Sequence, residues 1–236
     1  MDIDGCAIRG IEAVVTGSGT INMTGITVSN ALNAGIHLQN ITGGTVDDLV
    51  ISGSGIDGLS LNNVDNVAFG TSALSVNTIT GSGDNGLEID TTSDSNTFLD
   101  FDILNTTDDG INLSNSDNNS FTRINIINDT LPIDIPSNDG IVVNATSVGN
   151  TFNTVVVDNT VDECVAVAGN DTTFTGAGLV IGDGLTVRNC GDFGVFVNTD
   201  MGSLLELTSI LTEDTVDDGI FIDNFTLTGT LSLIHI

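Results

Sequence analysis

The chain has no lysine, no tryptophan and no tyrosine, and only two prolines and three cysteines in 236 residues. Each shortage removes a class of protein. Three arginines (Arg9, Arg123 and Arg188) stand against 32 Asp and Glu, for a formal charge of −29. Nucleic acid and anionic lipid surfaces bind through basic side chains that displace counterions, so neither fits as a partner. An anionic polysaccharide would meet the same negative wall. No run of about 18 apolar residues is present to cross a bilayer. Met1-Asp2-Ile3-Asp4 has neither the basic start nor the apolar stretch of a signal peptide. Cys6, Cys164 and Cys190 match no zinc spacing and cannot all pair with one another. Small buried thiols and a Cys164–Cys190 disulfide both stay open.

What is present is hydrophobic, small and β-branched. Residues of apolar type make up 39% of the chain, which is enough for a core despite the charge, and there are 28 glycines. A core of Ile, Val, Leu and Thr with abundant Gly points to strands. The strongest self-similarity is Gly-apolar-x-apolar behind Asp or Asn. It recurs at Gly35-Ile36-His37-Leu38, Gly58-Leu59-Ser60-Leu61, Gly86-Leu87-Glu88-Ile89, Gly110-Ile111-Asn112-Leu113, Gly140-Ile141-Val142-Val143, Gly194-Val195-Phe196-Val197 and Gly219-Ile220-Phe221-Ile222. Cys164-Val165-Ala166-Val167 takes the same place with Cys for Gly, and Gly5-Cys6-Ala7-Ile8 reads as a weaker first copy. The alternation has period 2, so each anchor is a short strand with two inward side chains. A second strand ends seven residues before most anchors, at Val28, Ile51, Ile79, Ile103, Val157 and Val187. Its other inward column, nine before, holds Ile26, Leu49, Phe101, Val155, Leu185 and Ile210, with Asn77 as the exception. A third element follows the anchor by ten to twelve residues and carries Phe69, Phe98, Phe121, Phe152 and Phe174, half of the ten Phe. One ring per coil in one column implies an internal stack. Leu131-Pro132-Ile133-Asp134-Ile135-Pro136 widens one interval and reads as a loop leaving the coil.

These features predict an all-β right-handed parallel β-helix, a solenoid of about nine coils with three short strands each. Amphipathic helices and the Leu/Asn frame of a leucine-rich repeat are both missing. The Gly-Ile-x-Leu-x-Asn anchors and Asn-rich turns resemble the right-handed parallel β-helix repeat proteins of the pectin-lyase-like superfamily, which includes pectate lyases, polygalacturonases, phage tailspikes and bacterial surface proteins. Residues 1–230 read as one such domain, incomplete at both ends. Leu231–Ile236 (LSLIHI), which carries no turn signal, reads as a non-native tail. The fold hosts many functions, so the resemblance speaks to architecture.

Acidic residues precede the anchors. Two positions before stand Asp84, Asp108, Asp162, Asp192 and Asp217, with Asn33 and Asn138 elsewhere in the column. One before stand Asp57, Asp109, Asp139, Glu163 and Asp218. Stacked coils turn them into two columns of carboxylates. Turn chemistry accounts for Asp before Gly, and Ca²⁺ bridging between coils accounts for so many hard oxygen donors in line; the two are compatible. The candidate calcium ligands are Asp84, Asp108, Asp109, Asp139, Asp162, Glu163, Asp192, Asp217 and Asp218.

One stretch offers catalysis. Asn138-Asp139-Gly140-Ile141, then Asp162-Glu163-Cys164-Val165-Ala166, is similar to the polygalacturonase pattern Asn-Thr-Asp-Gly followed by Asp-Asp-Cys-x-Ala. That resemblance implies Asp139, Asp162 and Glu163 as the general acid and the water-activating carboxylates. The chain departs from the family where Gly176-Ala177-Gly178-Leu179 replaces Gly-His-Gly, and it has no Arg-x-Lys clamp. Lyase chemistry lacks a base, since the three arginines occupy different places in their coils. His37 faces outward and His235 lies in the tail, so no Ser-His-Asp set assembles. Along the outer face of the anchors, polar His37, Ser60, Glu88 and Asn112 give way to Val142, Ala166, Phe196 and Phe221, a stripe able to bind a partner or lie under a neighbouring segment. The sequence is read as a non-catalytic, extracellular or cell-surface β-helix segment, a spacer or adhesion surface for carbohydrate or protein, within a longer parent chain. A carbohydrate-active enzyme, intact or degenerate, is the alternative.

Overall fold

The computed structural model describes residues 1–71, 77–128, 139–169, 172–175, 184–198 and 206–223. The 131–136 loop, Asn138, the 176–179 stretch and the LSLIHI tail with His235 lie outside them. Within the described residues every regular element is a strand, and every strand pairing is parallel between successive coils. Two sheets result. The anchors form one of nine strands, from Ile11–Val14 through Ile36–Ile41, Leu59–Val64 and so on to Ile220–Asp223, which encloses eight complete turns. The other holds the two remaining strands of each coil.

Those two strands are not separate in most coils. Ile21–Ser29, Gly44–Ser52, Thr97–Leu104, Ser120–Ile127 and Thr151–Thr160 each run through a corner made by one left-handed residue: Gly25, Asp48, Asp100, Arg123 and Thr154, with φ between 51° and 61°. One residue of positive φ turns the chain while keeping both flanking segments in the ladder. That conformation costs a side-chain-bearing residue of order 1–2 kcal/mol, and the ladder on either side holds it.

The first anchor is Gly10-Ile11-Glu12-Ala13, not Gly5-Cys6-Ala7-Ile8. Ile11 lies beside Ile36 and Ile3 beside Val28. Ile3 therefore fills the column seven residues before an anchor at position 10. Gly5 sits in a turn at φ 67°.

Inside, equivalent side chains lie directly over one another. Val28, Ile51, Ile79, Ile103, Ile126, Val157 and Val187 are fully buried in one column. The rings of Phe69, Phe98, Phe121, Phe152 and Phe174 stack at centroid spacings of 4.6–4.8 Å with planes within 2–11°. Asn77 interrupts the aliphatic file without leaving a polar orphan: its Oδ1 accepts from the Leu49 N–H (3.2 Å) and its Nδ2 donates to the Leu99 carbonyl (3.1 Å).

Two residues before the Phe column runs a buried asparagine ladder. The Val67, Asn96 and Asn119 N–H groups donate to Oδ1 of Asn96, Asn119 and Asn150, at 2.9–3.0 Å. The three amide Nδ2 groups donate to the carbonyls of Val64, Ser93 and Ser116. Turn groups that no strand reaches are thereby satisfied.

The anchor glycine is forced by proximity. A Cβ on Gly58 would stand 2.2 Å from Ile79 Cγ2 and 2.9 Å from Ser82 Oγ. The same slot, between an anchor glycine and the residue four before the next anchor, recurs at Gly35–Ser54 and Gly86–Thr106. Where the anchor is Cys164, its partner across the slot is Cys190, and the two form a disulfide with Cα atoms 5.4 Å apart. The bond fills the space that elsewhere only glycine fits.

A rim of carboxylates beside an apolar face

The corner leading into the anchor sheet carries the acidic columns. The inner column runs Asp57, Asn85, Asp109, Asp139, Glu163; the outer runs Asp84, Asp108, Asp162, Asp192, Asp217. Backbone bonds tie the outer column coil to coil: the Asp108 N–H donates to the Asp84 carbonyl, Asp192 to Asp162 and Asp217 to Asp192. In the inner column the side chains do the tying. Oδ1 of Asn85 accepts from the Asp109 N–H (3.1 Å), Oδ1 of Asp109 from the Asp139 N–H (3.2 Å), and Oδ1 of Asp139 from the Glu163 N–H (2.9 Å). Each acid caps the turn of the coil above it.

This placement buries carboxyl groups beside one another. Asn85, Asp109 and Asp139 are almost wholly buried. Burial first, then the Asp84 charge, pushes the Asp57 carboxyl up to about 6. Burial and then Asp108 push Asp109 to about 7. Burial, then Asp57, Asp90, Asp109 and Asp84, push Glu88 on the neighbouring anchor strand to about 8. Asp139 and Glu163 are hydrogen-bonded side chain to side chain; burial, then the charges of Asp109 and Glu163, raises Asp139, while burial and the Asp162 charge raise Glu163 against the lowering pull of its bond with Asp139. Such a pair holds one proton between two carboxylates. Asp108 and Asp192 are raised as well, by burial and then their acidic neighbours.

No arginine relieves the crowding. Arg123 pairs with Asp100 on the strand face (2.5 Å), Arg188 with Asp158 (2.8 Å) and Arg9 with Glu12. Each cation serves as the outward partner of a nearby carboxylate.

One group of three acids converges. Oxygens of Asp139, Asp162 and Glu163 all lie within 4.8 Å of one another. A point at the centre of such a triangle is at most about 2.8 Å (4.8/√3) from each oxygen, against roughly 2.3–2.6 Å for Ca–O bonds. The donor set therefore fits a hard divalent cation after a shift of a few tenths of an ångström. Asp84, Asp108, Asp109, Asp192, Asp217 and Asp218 form no comparable triple among the described residues.

Beyond Glu163 the inner column changes character, with Phe193 taking its place in the next coil. Its ring packs on Phe196 (5.4 Å) and Phe221 (5.0 Å), both on the outward face of the anchor sheet. Beside them Val142, Ala166, Phe196, Asn144 and Asn198 line a depression of about 210 Å³. The stripe of Val142, Ala166, Phe196 and Phe221 expected from sequence is thus extended by Phe193, whose only signal was its occupation of an otherwise acidic position. Farther toward the N-terminus, His37 Nδ1 lies 3.3 Å from Ser60 Oγ, with Glu12 next in the row. The Glu12 carboxylate is taken by Arg9, and the strand N–H groups are spent in the ladder.

In overall shape the chain is similar to the catalytic unit of a thermostable GH87 α-1,3-glucanase from Streptomyces thermodiastaticus strain HF3-3, at 16% identity and a TM-score of 0.38. The match covers 93% of this chain and 49% of that one, so the chain spans about half its length. No curated protein matches. The family described as the right handed beta helix region matches residues 9–190, and with its parallel coils, stacked phenyl rings and nine-stranded anchor sheet the chain belongs to that right-handed β-helix family.

Proposed function

We propose that this chain is a non-catalytic β-helix segment of an extracellular or cell-surface protein, with its acidic rim bound to Ca²⁺ and its anchor face serving as a surface for carbohydrate or protein. The observation that carries the proposal is the inner-column ladder. Asp109 and Asp139 each commit an oxygen to the backbone of the next coil, as the uncharged Asn85 does. A group doing what its amide counterpart does one coil away is explained by architecture before chemistry. The proposal places Ca²⁺ at Asp139, Asp162 and Glu163, where it would displace the shared proton and add a link between two coils. The Cys164–Cys190 disulfide supports an oxidising compartment. Flanking domains of a longer parent chain belong to the same reading.

Melting in EDTA and in excess Ca²⁺ tests it. At a concentration about 100 times the dissociation constant, binding adds about 2.7 kcal/mol, or roughly 5–10 °C in Tm for a chain of this size. Asp162→Asn should remove most of that difference. Identical melting curves would reject the calcium site.

The convergence of Asp139, Asp162 and Glu163 close to the apolar depression favours a second reading, a glycoside hydrolase. Protonated Asp139 would act as general acid and a neighbouring carboxylate would activate water. Screening neutral glycans separates the two: cleavage that Asp139→Asn abolishes supports the enzyme, and the absence of cleavage across the panel supports the binding segment.

A further inference from the structure

The outer face above the phenylalanine stack differs from every other face of the coil. Four of the five rings, those of Phe98, Phe121, Phe152 and Phe174, are flanked by two outward residues each: Thr97 and Leu99, Ser120 and Thr122, Thr151 and Asn153, Thr173 and Thr175. The register aligns them in two files, Thr97–Ser120–Thr151–Thr173 and Leu99–Thr122–Asn153–Thr175, with Ala68 before the first and Glu206, beside Thr173, ending it in the next coil. Over the four coils from Thr97 to Thr175 none of these eight positions is charged, in a chain with 32 acidic residues. The adjoining faces do carry charge at equivalent outward sites, among them Asp102, Asp158, Arg188, Glu88 and Asp90.

The geometry of the files is regular. The rings directly beneath are spaced 4.6–4.8 Å apart with planes within 11°, where neighbouring strands ordinarily twist by about 20–25°. Residues two apart on one strand are separated by roughly 6.6–6.8 Å. The outward groups therefore occupy a flat, nearly rectangular net. Threonine is stiff at χ1, so each methyl and hydroxyl is held in a repeating position. The side-chain hydroxyls of Thr97, Ser120, Thr122, Thr151, Thr173 and Thr175 have no hydrogen-bond partner among the described residues.

A charged side chain organises its own hydration shell, whereas an uncharged net of hydroxyls and methyls leaves first-layer water free to follow the spacing of the net. The two repeats lie close to the oxygen repeats on the prism face of hexagonal ice. We propose that this face binds ice, holding a layer of water whose order continues into the crystal. The proposal stands apart from the calcium rim, which lies on a different corner of the coil.

The test uses the whole chain with a protein that does not bind ice as reference. Slowly grown ice should enrich the chain, and the freezing point measured beside a single crystal should fall below the melting point. Thr151→Arg places a cation in the middle of the net, on an exposed residue whose side chain contributes nothing to the core. It should abolish most of the ice-bound fraction at unchanged Tm. Thr78→Arg, outward on the adjoining face, should retain it. Thr122→Tyr provides a second disruption should the arginine variant fold poorly. Exclusion of the wild type from ice to the same extent as the reference overturns the proposal, as does equal partitioning of a folded Thr151→Arg. A dimer in sedimentation that Thr151→Arg dissociates, without ice partitioning, overturns it in favour of a second copy of the chain on this face.

Discussion

The asparagine ladder makes the sharpest demand on stability. Asn119 is fully buried. Its Oδ1 accepts from the Asn96 N–H at 2.9 Å and its Nδ2 donates to the Ser93 carbonyl at 2.9 Å. Asn119→Ala strands both backbone groups inside the turn. An unsatisfied buried polar group costs about 1–3 kcal/mol, so the pair costs about 4 kcal/mol, and Tm should fall by roughly 8–16 °C in a chain of this length. Asn119→Asp keeps the acceptor but turns a carboxylate oxygen toward the Ser93 carbonyl. Its folded pKa must rise, so its stability is present at low pH and lost as pH increases through that pKa. Asn125→Ala removes an exposed amide that donates to Asp102 at 3.3 Å and should change stability by no more than about 0.5 kcal/mol. Circular dichroism melts of the three variants at acidic and neutral pH decide the matter. An Asn119→Ala protein melting within about 2 °C of wild type would show that water enters the turn and that the ladder is incidental.

Three further outcomes follow from the same packing. The Cys164–Cys190 disulfide closes a separation of 26 residues, worth about 3.5 kcal/mol through the entropy of the unfolded chain; a denaturant midpoint unmoved by thiol reduction would contradict this. Asp57, Asp109 and Glu88, at about 6, 7 and 8, keep protons in the folded state that the unfolded chain gives up near pH 4. Their contribution is therefore complete below about pH 4 and is lost as pH rises through 6 to 8; Tm in EDTA should decline across that window, and Glu88→Gln should flatten the upper part, whereas a Tm rising with pH would reverse the argument. A Cβ on Gly110 would lie 2.6 Å from the Gly140 carbonyl oxygen and 2.6 Å from Ile126 Cγ2, so Gly110→Ala should cost about 1–3 kcal/mol in chemical denaturation, and a neutral result would mean that adjacent coils can slide apart.

Much of the fold was legible because a solenoid repeats its instructions. Period-2 alternation behind glycine identified the anchors, and the residues seven and nine before them identified the neighbouring strand. The phenylalanine column followed from position alone. The failures have local causes. Gly5-Cys6-Ala7-Ile8 mimics an anchor as well as Gly10-Ile11-Glu12-Ala13 does, and only the partner column, with Ile3 seven residues before Gly10, tells them apart. The corners were invisible for a different reason. A left-handed residue usually announces itself as Gly, Asn or Asp, but Arg123 and Thr154 hold that conformation because the coils above and below dictate it. Stacking overrode intrinsic preference, and single-residue chemistry carries no trace of it.

The candidate site was harder to read for the reason that made the fold easy. When every coil uses Asp or Asn to cap the next, an acid before an anchor says little about chemistry, and Asp109 looks the same as Asp139 until their neighbours are in place. Information resides in the departures from the repeat. Cys164 replaces glycine and finds Cys190. Glu163 replaces aspartate and lies against Asp139. Phe193 replaces an acid and joins the rings of Phe196 and Phe221. The threonine files belong to the same class of signal, since what marks them is the charge that a strongly acidic chain withholds from one face. That absence can be seen only after register has put Thr97, Ser120, Thr151 and Thr173 in line, because along the sequence each is one threonine or serine among many.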